Sequence, residues 1–364
     1  MNITPDYSKR VYGLDILRAI AIILVVNTHG KFLLKTILGD KISWIGFMDG
    51  VELFFVLSGF LIGGILIKMI HNNNYKLSLK DCFNFWKRRW FRTLPNYYLF
   101  LTINIILVEY SLINGTFKHF DYKYFLFLQN FSQPLIGFFW ESWSLSVEEW
   151  FYIFLPLSLI IFLYFSKSKK AIIYSIITLI TLPLVYRIIN SSEYVNFFWW
   201  DVKFRKIILM RLDTIIYGVL AAYIQFYHTK FWKKTAIPSF ILGILLIIIF
   251  NYFPYQENSL FIKTFYFNSL SLGVMLLLPF LSGIKDFKTF FGKIITHISL
   301  ISYSMYLVNM LTIDFVAKIS LPINNHINGL INYFIYWILV ILLSSLVYYF
   351  FERPMMMLRN KKFF

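Results

Sequence analysis

Nearly unbroken apolar runs recur along the whole chain, at 19–26, 157–165 and 241–250 among others. A water-soluble fold cannot hide them all, because too little polar surface remains to wrap them. Charged residues make up 15% of the 364, where soluble domains carry roughly 25%. The expected fold is an all-α, polytopic integral membrane protein, since helices satisfy their own backbone polar groups in lipid. At about 20 residues per span we read ten helices, at 11–34, 47–70, 95–113, 144–165, 171–190, 207–228, 236–252, 264–281, 295–319 and 331–351. One membrane domain, 1–364, is expected. No internal repeat or low-complexity linker divides it, and a short basic tail after the last span leaves no appended soluble domain. The first apolar segment is too long for the core of a secretory signal and lacks a small-residue cleavage site after it.

The formal net charge of +17 would suggest nucleic acid in a soluble protein. In a membrane protein, basic loops anchor the cytoplasmic face instead, and no nucleic-acid partner is expected. With the N-terminus inside, 21 of the 35 Lys+Arg fall on cytoplasmic segments, 9 outside and five within spans. That bias predicts both termini in the cytoplasm, which an even number of spans permits. The lone Cys82 allows no internal disulfide and no metal cluster, and it sits where it would stay reduced.

Ionisable residues inside a membrane are costly and mark candidate sites. Arg18 and His29 share the first span, 11 residues apart. At 100° per residue that is three turns plus about 20°, so they face one side, with a rise of about 16 Å between them. Arg18 then lies toward the cytoplasm and His29 toward the outer boundary. Asp15, three residues before Arg18, can pair with it. The plainer alternative is an interfacial ion pair and a satisfied core histidine.

The hairpin from the first to the second span centres near residue 40 or 41, which places His29 and Glu52 at one depth. A carboxylate there can orient an imidazole base. Alternatively the two are unrelated polar residues at the outer interface. Ser58 is a candidate nucleophile, although a mid-helix serine more often bonds back to a carbonyl. Gly59-x3-Gly63 is a small-residue pattern suited to helix packing.

Arg88, Arg89 and Arg92 precede the third span, and a helix would gather them on one face. Such a cluster suits phosphate groups, or simply cytoplasmic anchoring. Ser146 and Glu149 fit a capping box at the start of the fourth span, which leaves Glu148 as the polar candidate. Arg211 and Asp213 open the sixth span, as functional groups or as a local salt bridge. Two layers result: His29, Glu52, Glu148, Arg211 and Asp213 toward the outer face, the arginine cluster inside, and Arg18 between. That suits a phosphate-bearing donor from the cytoplasm and a polar acceptor from outside. No metal-binding spacing, P-loop or dinucleotide fingerprint is present.

Taken together these segments resemble acyltransferase family 3, integral membrane proteins that O-acylate cell-surface glycans and some small molecules. The resemblance rests on Gly13-Leu14-Asp15-Ile16-Leu17-Arg18 with His29, Val51-Glu52-Leu53-Phe54-Phe55 through Ser58-Gly59-Phe60, Arg89-Trp90-Phe91-Arg92-Thr93-Leu94-Pro95, Trp143-Ser144-Leu145 through Glu148-Glu149, Arg211-Leu212-Asp213, Ser302-Tyr303-Ser304 with Tyr306-Leu307, and Phe351-Glu352-Arg353-Pro354. They stand in family order over nearly the whole chain.

The resemblance implies an acyl-CoA donor, usually acetyl-CoA, as co-substrate without a bound cofactor, and a hydroxyl acceptor on a cell-surface or lipid-linked glycan. It implies that Arg18 and His29 are the family's essential pair. It also implies that Ser58, Gly59, Arg89 and Arg92 act in the active pore. Where many relatives carry a histidine after Tyr306-Leu307, this chain has Val308-Asn309. Asn309 cannot transfer protons, so His29 is the expected base.

The expected mechanism has CoA phosphates on Arg88, Arg89 and Arg92, the pantetheine arm passing Arg18, His29 oriented by Glu52, and Arg211 or a pore amide at the oxyanion. Transfer is direct or through an acylated residue. The location implied is a bacterial cytoplasmic membrane, with membrane lipids as partners. Two competing classes are a transporter or flippase of lipid-linked sugars and a glycan polymerase. The first moves sugar without consuming acyl-CoA. The second lengthens chains without adding esters.

Overall fold

The computed structural model describes residues 10–39, 50–252, 258–285, 289–319, 321 and 325–358. The expected hairpin centre at 40–41 and the basic residues Lys9, Lys41, Lys288, Arg359, Lys361 and Lys362 lie outside the described residues.

The described residues form helices and no strands. Among the described residues, ten helices exceed 15 residues. They are α1 (Tyr12–Gly30), α2 (Gly50–Asn72), α3 (Leu79–Glu109), α4 (Ser142–Phe165), α5 (Lys169–Asn190), α6 (Leu212–Tyr227), α7 (Ala236–Tyr252), α8 (Phe265–Leu281), α9 (Phe290–Ile319) and α10 (His326–Val347). Six segments are long and apolar enough to cross a membrane: α1 with its continuation to Leu38, α2, α4, α5, α9, and α10 with its continuation to Leu358. The helices α6, α7 and α8 are apolar but shorter.

Helix α3 starts well before the expected span at 95. Ser78 caps it by accepting from the Asp81 N–H while Asp81 accepts from the Ser78 N–H, a reciprocal box. The basic stretch from Lys87 to Arg92 is therefore helical rather than loop.

Close packing of α2 against α6 depends on two glycines. A Cβ on Gly59 would sit 1.8 Å from the Ile215 carbonyl oxygen, and one on Gly218 would sit 2.0 Å from that of Val56. The small-residue pattern thus serves backbone approach. Helix α1 lies between α2 and α9, and α9 packs on α10.

The segment from 110 to 141 folds over the ends of α3 and α4 as an aromatic cap. Tyr97 Oη donates to the Tyr124 carbonyl at 2.7 Å, and Trp150 Nε1 donates to that of Phe127 at 2.9 Å. Asn130 ties this cap to the chain before α6, donating to the Lys206 carbonyl at 2.7 Å while its own carbonyl accepts from the Ile208 N–H at 3.0 Å.

Candidate functional site

Two adjoining cavities are lined by residues of α1, α2, α4 and α9, with α3 joining the first and α8 and the segment before α6 joining the second. The first, of about 100 Å³, is lined by Arg18, Ser58, Arg89, Arg92, Glu148 and Tyr303, among others. The second is larger, about 720 Å³, and its lining includes His29, Glu52, Trp140, Glu141, Arg205 and Lys206. Val51 and Tyr306 line both. The arginine chamber and the histidine chamber therefore meet at these two side chains.

In the arginine chamber, Arg18 Nη1 lies 3.3 Å from Asp15, the partner expected three residues away, and 3.2 Å from Ser299 Oγ. Arg10 also grips Asp15, with Nε donating at 2.8 Å. Arg89 and Arg92 come from α3. Arg88 does not join them: it is exposed and absent from the lining. Helical rotation explains this, because Arg92 lies angularly between Arg88 and Arg89, and the chamber faces the Arg89 side.

Ser58 Oγ donates to Glu148 Oε1 at 2.9 Å, and Tyr152 Oη donates to Oε2 at 3.1 Å. Glu148 thus belongs with the arginines and not in the outer layer where the sequence placed it. Gly59, expected near the donor, faces α6 instead. The capping box at Ser146 is also overturned, because α4 begins at Ser142. Ser146 lies one turn inside, bonded to the Ser142 carbonyl at 3.1 Å and accepting from Gln129 at 2.6 Å. Glu149 accepts from Thr93 Oγ1 at 2.5 Å.

In the histidine chamber, His29 is oriented by Asn309, not by Glu52. Asn309 Nδ2 donates to the carbonyls of Met305 (3.0 Å) and Tyr306 (2.6 Å). Its Oδ1 must therefore be the acceptor for His29 Nδ1–H. This fixes the tautomer and leaves Nε2 with its lone pair available as a base. Tyr306 Oη donates to the Glu141 main-chain oxygen at 2.9 Å and accepts from Ser144 Oγ at 2.7 Å.

Glu52 lines the chamber but pairs with Arg211 at 2.5 Å, with both side chains almost fully buried. The Arg211 guanidinium also lies 3.9 Å from the Phe267 ring centroid. Arg211 is absent from the chamber lining, and so is Asp213. Asp213 pairs instead with Arg187 of α5, whose Nη1 lies 3.1 Å from Oδ1, and accepts from Asn268 Nδ2 at 2.9 Å. The Arg211–Asp213 segment therefore cross-links helices.

The role of Asn309 as the partner of His29 escaped the sequence reading, and so did three residues of this chamber, Glu141, Arg205 and Lys206. The last two carried a signal, since basic residues on an outside segment run against the charge bias. Both pair with Asp201 at 2.5 Å. Arg205 lies 5.0 Å from the Trp143 ring and Lys206 5.4 Å from the Trp140 ring. Burial, and then neighbouring Arg205, push the Lys206 ammonium below its ordinary range.

A family model described as an acyltransferase domain matches residues 11–349. A Staphylococcus aureus (strain COL) protein provisionally named an O-acetyltransferase is 30% identical over 93% of this chain and 56% of its own length. The peptidoglycan O-acetyltransferase OatA of Listeria monocytogenes is 32% identical over 51% of this chain and 30% of its own. A Bacillus subtilis protein provisionally named a peptidoglycan O-acetyltransferase is 31% identical over 45% of this chain and 26% of its own. The chain spans about half the length of the curated relatives that it matches over most of its own, 56% and 55% for the first two. No solved structure matches.

Proposed function

Since the chain belongs to acyltransferase family 3, we propose that it moves an acyl group, acetyl by default, from cytoplasmic acyl-CoA to a glycan hydroxyl on the far side of a bacterial cytoplasmic membrane. The observation that carries this reading is the meeting of a basic chamber and a histidine chamber at Val51 and Tyr306. A donor can enter one end and an acceptor the other, so the transfer step itself crosses the membrane. We place ten spans across the bilayer with both termini in the cytoplasm, which puts the arginine chamber on the donor side.

The CoA phosphates rest on Arg89 and Arg92, which offer planar, always-charged forks to phosphate oxygens. Arg18 lies along the path of the pantetheine arm. The thioester carbonyl is presented at Val51 and Tyr306, within reach of the histidine chamber. The acceptor glycan occupies that larger chamber, a volume within the usual range for ligand sites, where Trp140, Trp143 and Trp200 offer stacking faces. The peptidoglycan named for two relatives makes it the first acceptor to test.

His29 Nε2 takes the proton of the attacking hydroxyl. The new C–O bond forms as the carbonyl electrons move to oxygen. Collapse expels CoA as the thiolate, which recovers the proton from His29. The two chambers favour this direct transfer, since donor and acceptor can meet at one place.

The test uses membrane vesicles given radiolabelled acetyl-CoA on the cytoplasmic face and native glycan on the other. Label in base-labile glycan ester, present with wild type and lost in His29→Ala while CoA binding is kept, is the expected result. Full transfer by His29→Ala sinks the mechanism. Glycan that crosses without label would point to a transporter.

A further inference from the structure

The proposed mechanism leaves the oxyanion without a partner. Arg211, expected from the sequence to fill that role, is committed to Glu52 and Phe267 and does not line the histidine chamber. The structure offers another group. Glu141 stands just before α4, at the end of the aromatic cap, and is among the residues that line the histidine chamber with His29. It is only 5% exposed, and its Oε1 has no hydrogen-bond partner among the described residues. A buried carboxyl oxygen without a partner is uncommon and calls for an explanation. The main chain of Glu141 is tied to Tyr306, a residue that lines both chambers, because Tyr306 Oη donates to its carbonyl oxygen.

We propose that Glu141 is a further catalytic residue, whose carboxylic acid O–H donates to the acyl oxygen of the thioester as that oxygen becomes the oxyanion. This rests on the acyl-transfer reading above. The step balances without a further reactant. The hydroxyl proton goes to His29 Nε2, and the carbonyl electron pair goes to the oxygen held by Glu141. On collapse the C=O bond returns, the C–S bond breaks and the thiolate leaves. Glu141 keeps its proton throughout.

The surroundings suit a neutral acid. Burial, the largest influence, and then the negative charge of Asp314 push the Glu141 carboxyl up to about 8. Its own backbone N–H pulls the other way. The charged and titratable groups that face the same chamber are His29 and Lys31 from α1 and its continuation, Glu52 from α2, and Tyr306 from α9. Asp201, Arg205 and Lys206 come from the segment before α6, and Tyr266 from α8. Arg205 and Lys206 are turned to Asp201, and Glu52 to Arg211. No ion pair holds Glu141 among the described residues.

The experiment measures acetyl transfer by wild type, Glu141→Gln and Glu141→Ala in the same vesicles across neutral and alkaline pH. Wild type should lose rate as pH rises through about 8, where the donor proton is lost. Glu141→Ala should lower kcat about 100-fold, the usual cost of one oxyanion donor, with acetyl-CoA binding retained as proof of folding. Glu141→Gln, which keeps an N–H donor that does not titrate, should recover much of kcat and shed the alkaline fall. The inference is overturned if Glu141→Ala keeps wild-type kcat, if only KM rises, or if Glu141→Gln keeps the wild-type alkaline limb. Wild type without transfer would instead overturn the underlying acyl-transfer reading.

Discussion

The Glu52–Arg211 pair offers the sharpest test of whether a charged residue in this bundle serves chemistry or architecture. Glu52 is 2% exposed and Arg211 is fully buried, and they meet at 2.5 Å. Arg211 Nε and Nη1 and Glu52 Oε2 have no hydrogen-bond partner among the described residues. The pair is therefore held mainly by one charge-assisted bond and by the Phe267 face 3.9 Å from the guanidinium. Removing one partner of a buried pair costs about 3–5 kcal/mol.

The two single variants should differ. After Glu52→Gln, Arg211 keeps Phe267, a desolvated cation–π contact of about 2 kcal/mol, and a neutral acceptor. Its cost should lie near the lower figure, about 3 kcal/mol. After Arg211→Met, the buried Glu52 is left without a partner, so about 5 kcal/mol is expected. The double variant Glu52→Leu with Arg211→Met should recover most of the loss, because an apolar pair of similar volume replaces the ions.

The assay is thermal unfolding of the purified protein in lipid nanodiscs. On the soluble-protein scale of about 2–4 °C per kcal/mol, the single variants should unfold on the order of 10 °C earlier. Single variants that unfold like wild type yet transfer no acyl group would refute this reasoning and return Glu52 to the catalytic role expected from the sequence.

Three further outcomes are expected. Asn309→Leu removes the acceptor of His29 Nδ1–H, so kcat should fall about 10- to 100-fold, from the 1–3 kcal/mol of an unmade buried hydrogen bond. Asn309→Asp, which keeps the acceptor, should be milder, and equal kcat for Leu and wild type would contradict the assigned tautomer. Arg89→Ala and Arg92→Ala should each weaken acetyl-CoA binding by roughly 10-fold or more, at 1.5–3 kcal/mol per charge-assisted contact, while exposed Arg88→Ala changes little. Calorimetric titration with acetyl-CoA checks this, and an equal loss at Arg88 would contradict the chamber's facing. Gly59→Ala places a methyl 1.8 Å from the Ile215 oxygen, so α2 and α6 must part. Overpacking of this kind costs about 1–3 kcal/mol, read as a lower unfolding midpoint, and unchanged stability would show that the helices are less closely seated.

Much of the site was legible in one dimension where the causes are local. Helical periodicity alone placed Arg18 and His29 on one face, and the structure puts them in adjoining chambers. The Arg18–Asp15 contact and the glycine packing at Gly59 follow from spacings of three and four residues. The span at 95–113 was read too short, because a basic amphipathic turn looks like a loop when only hydropathy is followed. The capping box failed because Ser146 is covered by the aromatic cap, which lets α4 begin a turn earlier.

By itself, then, the sequence determined an all-helical membrane protein, the acyltransferase family and the face shared by Arg18 and His29. Only the tertiary structure decided which charges are partners. Glu52 and Arg211 are 159 residues apart in the chain, His29 and Asn309 are 280 apart, and Arg187 and Asp213 are 26 apart. Depth in a membrane can be counted along a helix, but rotation toward one neighbour or another is set by packing. Depth alone suggested His29 as the partner of Glu52. In the fold Glu52 pairs with Arg211, His29 with Asn309, and Tyr306 with the main chain of Glu141.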